Sequence, residues 1–319
     1  MLSLPDSWVW DCWIVDDGEQ YHLFFLFASR ALHDPERRHR RAAIGHATST
    51  DLKTWTRVAD ALVPSDAPAF DDLATWTGSI IKAPDAWYMF YTGTTDVNGH
   101  IRQQIGLATS TDLMTWHKAA NNPILTTDPR WYEPLGDGWP DEHWRDPWVL
   151  ADPDGDGWHM LITTRANHGP VDDRGVIGHA TSPDLLTWQV QPPLSQSGTG
   201  FGQLEVPQIE KIDNQFFLVF SCLRPEFAHS RQRDPGSGGT WLAHAASPLG
   251  PYNITDARPL TDDTLYAGRI TKDRNGRHVI IAFHNRHEGT FIGVTSDPIP
   301  FPDIPPTRAT EPESGRSKP

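Results

Sequence analysis

The 319-residue sequence predicts an all-β fold, a single five-bladed β-propeller with four antiparallel strands per blade over residues 1–300. Three observations predict it. The segment Ile44-Gly45-His46-Ala47-Thr48-Ser49-Thr50-Asp51-Leu52-Lys53-Thr54-Trp55 returns nearly unchanged at Ile105–Trp116 and Ile177–Trp188, and in weaker form at Leu242–Pro248 and Ile292–Pro298. Each of the five copies follows a second apolar, aromatic-rich run, at Tyr21–Phe27, Trp87–Tyr91, Trp158–Thr163, Phe216–Phe220 and His278–Phe283. No long window carries helical periodicity. A β-sandwich does not account for repeats of this length.

Within each unit the strands follow in order. A first run lies upstream of the aromatic one, and turn residues join the two in several units (Asp17-Gly18, Asp213-Asn214, Asn275-Gly276). The repeat itself is the third strand, and the Trp that closes its stronger copies opens a fourth. The first strand of a propeller blade lines the central channel. These inner strands are predicted to begin near Asp11, Thr77, Asp146, Glu205 and Gly268, positions that converge on one end of the channel. Three of the five carry carboxylates, Asp11, Asp146 and Glu205. Gathering them is costly, because like charges repel and desolvation penalises each, so the arrangement points to a site. Taken singly they are weaker signals. Arg145-Asp146-Pro147 alone reads as a turn with a surface ion pair, and Glu205 alone as an exposed strand-edge carboxylate.

Composition limits the function classes. With 27 Lys+Arg against 41 Asp+Glu the net charge is −14, and no basic stripe offers itself to nucleic acid or to an anionic membrane; a neutral sugar is compatible with that charge. The 14 Trp residues can fill a core or stack on sugar rings, and Trp10, Trp13 and Trp76 can equally wall a pocket or pack between blades. Only Cys12 and Cys222 are present, so no disulfide framework is expected. The first residues show no basic and apolar export signal, no apolar run approaches the ~20 residues of a spanning helix, and a cytoplasmic protein is expected. Asp152-Pro153-Asp154-Gly155-Asp156-Gly157 resembles half of a calcium loop but lacks the distal Glu and reads as a turn. His284 and His287 lack zinc-like neighbours. No metal or cofactor is expected, and His143 reads as a loop histidine.

At the inner-strand positions the chain resembles the five-bladed enzymes of glycoside hydrolase families 32 and 68, over roughly residues 8–300. Trp10-Asp11-Cys12-Trp13 is similar to the Trp-Asp-x-Trp motif of family 68, and Trp76-Thr77-Gly78-Ser79 to the shared Trp-Ser-Gly-Ser motif. Arg145-Asp146-Pro147 matches Arg-Asp-Pro, and Glu205-Val206-Pro207 is similar to Glu-Cys-Pro or Glu-Arg-Pro. The resemblance implies Asp11 as nucleophile, Asp146 as transition-state stabiliser and Glu205 as acid/base, with Trp10, Trp13, Trp76, Ser79, Arg145 and Tyr266 around a small carbohydrate. It implies retaining hydrolysis of terminal β-fructofuranosyl residues from sucrose-like or short fructo-oligosaccharide substrates. Fructosyl transfer, an arabinofuranosidase of the family 43 kind and a non-catalytic sugar-binding propeller remain alternatives. A nucleophilic Asp11 should stay ionised, held so by a neighbouring Arg or by N–H donors. Family 32 usually appends a β-sandwich; here a Pro-rich tail, expected to be disordered, follows residue 300.

Overall fold

The computed structural model describes residues 1–136, 138–232 and 236–302; the tail expected beyond residue 300 falls almost wholly outside them. The described strands form five four-stranded antiparallel sheets. Blade one holds β1 (Ser7–Asp16), β2 (Tyr21–Ser29), β3 (Ala43–Ser49) and β4 (Thr56–Arg57); blade two holds β5 (Ala74–Lys82), β6 (Trp87–Val97), β7 (His100–Ser110) and β8 (His117–Lys118). Blade three holds β9 (Trp144–Ala151), β10 (Trp158–Arg165), β11 (Gly175–Ser182) and β12 (Gln189–Gln191). Blade four holds β13 (Glu205–Ile212), β14 (Gln215–Cys222), β15 (Gly239–Ala245) and β16 (Arg258–Pro259). Blade five holds β17 (Leu265–Lys272), β18 (His278–His287), β19 (Thr290–Thr295) and β20 (Ile299–Pro300), with β20 paired to β18. The architecture is the five-bladed propeller that the repeats predict. Its ring closes where Leu2 exchanges hydrogen bonds with Thr295, Leu2 N–H donating to Thr295 Oγ1 at 2.7 Å and Thr295 N–H to the Leu2 carbonyl at 3.0 Å.

The core lies between blades. Phe24 and Trp13 of blade one pack with Met89, Tyr91 and Trp116 of blade two and with Phe283 of blade five, and equivalent clusters join blades two to three and three to four. Strands covered on both faces read as near-continuous apolar runs, the pattern that made the second strands visible in the sequence. The repeated segment has a local cause. In three blades the Asp after the third strand accepts two backbone N–H groups of the following turn: Asp51 from Lys53 and Thr54, Asp112 from Met114 and Thr115, Asp184 from Leu186 and Thr187, all at 2.7–2.9 Å. The Leu that follows each Asp is buried at a positive φ of 63–66°.

The inner strands differ from the sequence expectation in one respect. The site residues of blades one to three lie inside their strands, at β-bulges. Asp11 and Thr77 are extra residues between paired neighbours of β1 and β5. Asp146 with Pro147, Val206 with Pro207, and Ala267 with Gly268 face single residues of the second strands. A bulge re-aims a side chain without ending the strand, so it places polar groups at the channel mouth while pairing continues below. Asp146, Val206 and Ala267 have φ of 55°, 53° and 50°. For β-branched Val206 this is a strained backbone, at a cost of about 1–3 kcal/mol. Blade two meets the same crowding with glycine, since a Cβ on Gly78 would lie 2.0 Å from the Phe90 carbonyl oxygen.

Candidate active site

At the bulged end of the channel is a cavity of about 290 Å³ lined from all five blades: Trp10 and Asp11, Trp76 and Thr77, Arg145 and Asp146, Glu205 with Leu223 and Glu226, and Tyr266 with Phe283 and Asn285. Glu36, Arg38 and His39 reach it from a short 3-10 turn, Pro35–Arg40, between β2 and β3, and Arg286 from the end of β18. The three carboxylates expected to converge do so.

Each is held differently. Asp11 Oδ2 accepts the Thr77 hydroxyl at 2.7 Å, so Thr77 in the Ser-like motif position supplies the donor that fixes it. Asp146 is 2% exposed. Its Oδ2 accepts the Thr163 hydroxyl at 2.9 Å and the Val206 N–H at 3.1 Å, and its own N–H donates to Thr92 Oγ1 at 2.9 Å. Arg145, buried beside it, donates through Nη2 to Glu205 Oε1 at 2.7 Å and to Gln203 Oε1 at 2.5 Å, while its Nε lies 3.4 Å from Asp146. Tyr266 donates its hydroxyl to Glu205 Oε2. Arg145 therefore orients both later carboxylates. Trp76 is fixed by its indole N–H on the His39 carbonyl at 2.7 Å, and the Arg38 guanidinium lies 5.6 Å over the Trp10 ring.

The electrostatics of Asp11 run opposite to expectation. Burial, then the charge of Asp146, raise its carboxyl to about 7, with Glu205 adding to the rise; the Thr77 hydrogen bond and Arg38 oppose it without prevailing. Asp146 is likewise raised, by burial first and against the pull of Arg145. Glu226 is pushed up to about 7 by burial and by the charge of Glu205. The site holds more carboxylate than its cations neutralise, the situation in which one or more acids keep a proton near neutral pH.

All of the pocket-lining residues except Trp10 and Asp11 fall within the match to known proteins. The model of the glycosyl hydrolases family 32 N-terminal domain matches residues 13–292. The chain belongs to glycosyl hydrolase family 32. Among relatives, a probable sucrose-6-phosphate hydrolase of Psychromonas ingrahamii is 27% identical over 273 residues, covering 83% of this chain and 45% of that protein. A fructan 1-exohydrolase of Aegilops tauschii is 33% identical over 256 residues, covering 74% and 40%. The chain thus spans less than half the length of these two relatives. Two solved structures share the fold: a Bombyx mori family 32 β-fructofuranosidase (TM-score 0.69, 20% identity, 92% of this chain and 60% of that one) and a Halalkalicoccus jeotgali inulosucrase bound to kestose (TM-score 0.71, 21% identity, 91% and 79%).

Two residues expected around the carbohydrate do not line the pocket. Trp13 stacks on Phe24 and borders a separate cavity of about 340 Å³, and Ser79 accepts the Val149 N–H at 3.2 Å, joining blades two and three. Each lies two residues beyond its bulge, about 7 Å further along the strand. His143 is buried edge-on to Trp139. The family 32 motifs gave no sign of Glu36, Arg38, His39, Glu226, Asn285 or Arg286. A usable signal exists for most of them: the second-to-third strand connections of blades one and four are long, and they lie at the channel end where the bulged inner strands begin. Among the described residues no cluster of three or more His, Cys, Asp or Glu is arranged to hold a metal, and no helix is long and apolar enough to cross a membrane.

Proposed function

We propose that this chain is a retaining glycosidase that removes terminal β-fructofuranosyl residues from a sucrose-like or short fructo-oligosaccharide substrate. One observation carries the reading: Asp11, Asp146 and Glu205, from three blades, line one pocket small enough to enclose a furanose. Asp11 attacks the anomeric carbon while Glu205 gives its proton to the departing glycosidic oxygen; Glu205 then takes a proton from the water that cleaves the fructosyl–Asp11 ester. Asp146, locked by Thr163 and the Val206 N–H, accepts hydrogen bonds from ring hydroxyls as positive charge develops. Tyr266 and Arg145 orient Glu205, and Trp10 and Trp76 wall the sugar.

The relatives support the substrate class, since those named above are a sucrose-phosphate hydrolase and a fructan exohydrolase, and a solved structure similar to this chain is a β-fructofuranosidase variant in complex with sucrose. The buried free thiols Cys12 and Cys222 accord with a reducing compartment, which supports a cytoplasmic location. The test is product analysis on sucrose, 1-kestose and aryl arabinofuranosides. Release of free fructose from the first two is expected. Arabinose release alone would overturn the fructoside assignment, and longer fructosyl oligosaccharides in place of fructose would make the chain a transferase.

A further inference from the structure

Arg269 on β17 is outside the reaction described above. It is 2% exposed, it does not line the substrate pocket, and it borders the 340 Å³ cavity together with Trp13, Trp148, Gln208 and Glu210. Its Nη1 donates to the carbonyls of Val206 (3.2 Å) and Pro207 (2.8 Å), the two residues of the β13 bulge. Its Nε and Nη2, also buried, have no partner among the described residues. Val206 is the strained residue of that bulge; its N–H holds Asp146 Oδ2, and Glu205 precedes it in the chain.

We propose that Arg269 is a positioning residue for the glycosidic reaction: it clamps the strained bulge that presents Glu205 and the Val206 N–H, and sets a buried positive charge on the side of the carboxylates away from the substrate. The proposal rests on the glycosidase reading of the pocket. Arg269 holds the Val206 and Pro207 carbonyls while Asp146 Oδ2 and Thr163 Oγ1 hold the Val206 N–H, so its removal loosens one side of the grip on a β-branched residue kept at φ 53°. The charge side is consistent. Burial lowers Arg269 to about 10, which leaves it cationic at neutral pH, and Asp146, Cys12 and Asp11 are the groups whose charges face it. Burial holds the Cys12 thiol up at about 12, so the two carboxylates are the anions it serves. Besides Arg269, the groups facing Asp11 are Asp146 from β9, Glu205 from β13, Arg38 from the Pro35–Arg40 turn, and the neutral Thr77 hydroxyl.

The test compares Arg269→Met and Arg269→Lys with the wild-type chain in two readouts. The first is kcat and KM on an aryl β-fructofuranoside across pH. Arg269→Met should lower kcat about 100-fold with KM changed less than about 3-fold, and should move the acid limb of kcat/KM to higher pH by about one unit. Arg269→Lys, which keeps the charge and a donor, should recover at least a tenth of kcat and the wild-type limb. The second readout needs no substrate: the 13C titration of Asp-labelled protein, with Asp11 identified through Asp11→Asn, should show the Asp11 midpoint moving to higher pH in Arg269→Met only. Should Arg269→Met not fold, Arg269→Lys decides alone, and loss of its Asp11 midpoint or limb to the extent expected of Met counts against the proposal. A wild type that cleaves no fructoside, with the midpoint still moving, removes the fructosidase reading and leaves the clamp and charge standing. An unmoved midpoint, or Lys and Met variants equally impaired, overturns the proposal.

Discussion

At the outer edge of blades one, two and three, the same turn is built from the same residues. At the channel, the same bulge is built in all five blades and its side chains change from blade to blade: Asp11, Thr77, Asp146, Val206 after Glu205, and Ala267. The outer turn has one local requirement, an Asp carboxylate that caps two backbone N–H groups and a Leu that plugs the core, and a requirement repeated in each of these three blades is met by a repeated sequence. The bulge fixes only where a side chain is aimed. What is aimed is then free to differ: two of the five bulges, at Asp11 and Asp146, deliver a carboxylate into one pocket, and Glu205, the residue before a third, delivers another. Repetition in this chain marks what holds the fold, and departure from repetition at an equivalent backbone position marks the chemistry.

Substitutions on the two sides of this contrast should separate activity from stability. The largest effect is expected at Asp11→Asn, a loss of roughly 10⁴-fold or more in turnover with a gain in stability. The sign follows from the raised carboxyl. With a folded value of about 7 against 3.8 for the free group, its contribution is fully present below about pH 3.8 and is lost as pH rises through about 7. Asn escapes that loss, so Tm should rise more at pH 8 than at pH 4; equal changes at both would show that Asp11 is not held protonated by the fold. Next comes Thr77→Val. Removing the 2.7 Å hydrogen bond to Asp11 should move the acid limb of kcat/KM upward and reduce activity about 10-fold at pH 6, with Thr77→Ser close to wild type. An unchanged limb would detach Thr77 from the nucleophile.

Gly78→Ala should cost about 1–3 kcal/mol, measured by denaturant unfolding, because its Cβ meets a backbone carbonyl at 2.0 Å, and it should lower kcat through the neighbouring Thr77. The smallest effect belongs to the outer turn. Asp51→Ala should lower Tm by about 1–3 °C and leave kcat within about twofold. Hydrogen bonds from Thr54 and Lys53 hold the Asp51 carboxyl at about 2. The cap's contribution is present above about pH 3.8 and lost as pH falls toward 2, so the melting curves of Asp51→Ala and wild type should converge in that window. A large kcat loss at Asp51 would abolish the contrast.

The sequence made the blades legible because their strands are buried on both faces and their outer turns need Asp and Leu at fixed offsets. It made Asp11, Asp146 and Glu205 legible because equivalent positions in a ring converge. The bulges were not legible, and from them came the misplacement of Trp13 and Ser79: a motif read as a run of letters carries no record that the chain leaves the pocket within two residues. Glu226 and Arg38 were hidden for another reason. They sit in connections that have no counterpart in the repeat, so periodicity says nothing about them. The state of Asp11 depends on the summed burial and charge of residues from several blades, which no local pattern records.

The assignment of chemistry to Asp11 at the bulge of blade one and Glu205 before the bulge of blade four is tested most directly with azide. Asp11→Ala and Glu205→Ala are assayed on an activated aryl β-fructofuranoside, whose leaving group needs little protonation, with and without azide. In Glu205→Ala the fructosyl–Asp11 ester forms and waits for a base, so azide, which needs none, should restore turnover and yield the retained β-fructosyl azide. Asp11→Ala should remain inactive toward that product. Formation of β-fructosyl azide by Asp11→Ala, or equal loss in both variants without rescue, would contradict the placement of the nucleophile in blade one and the acid/base in blade four.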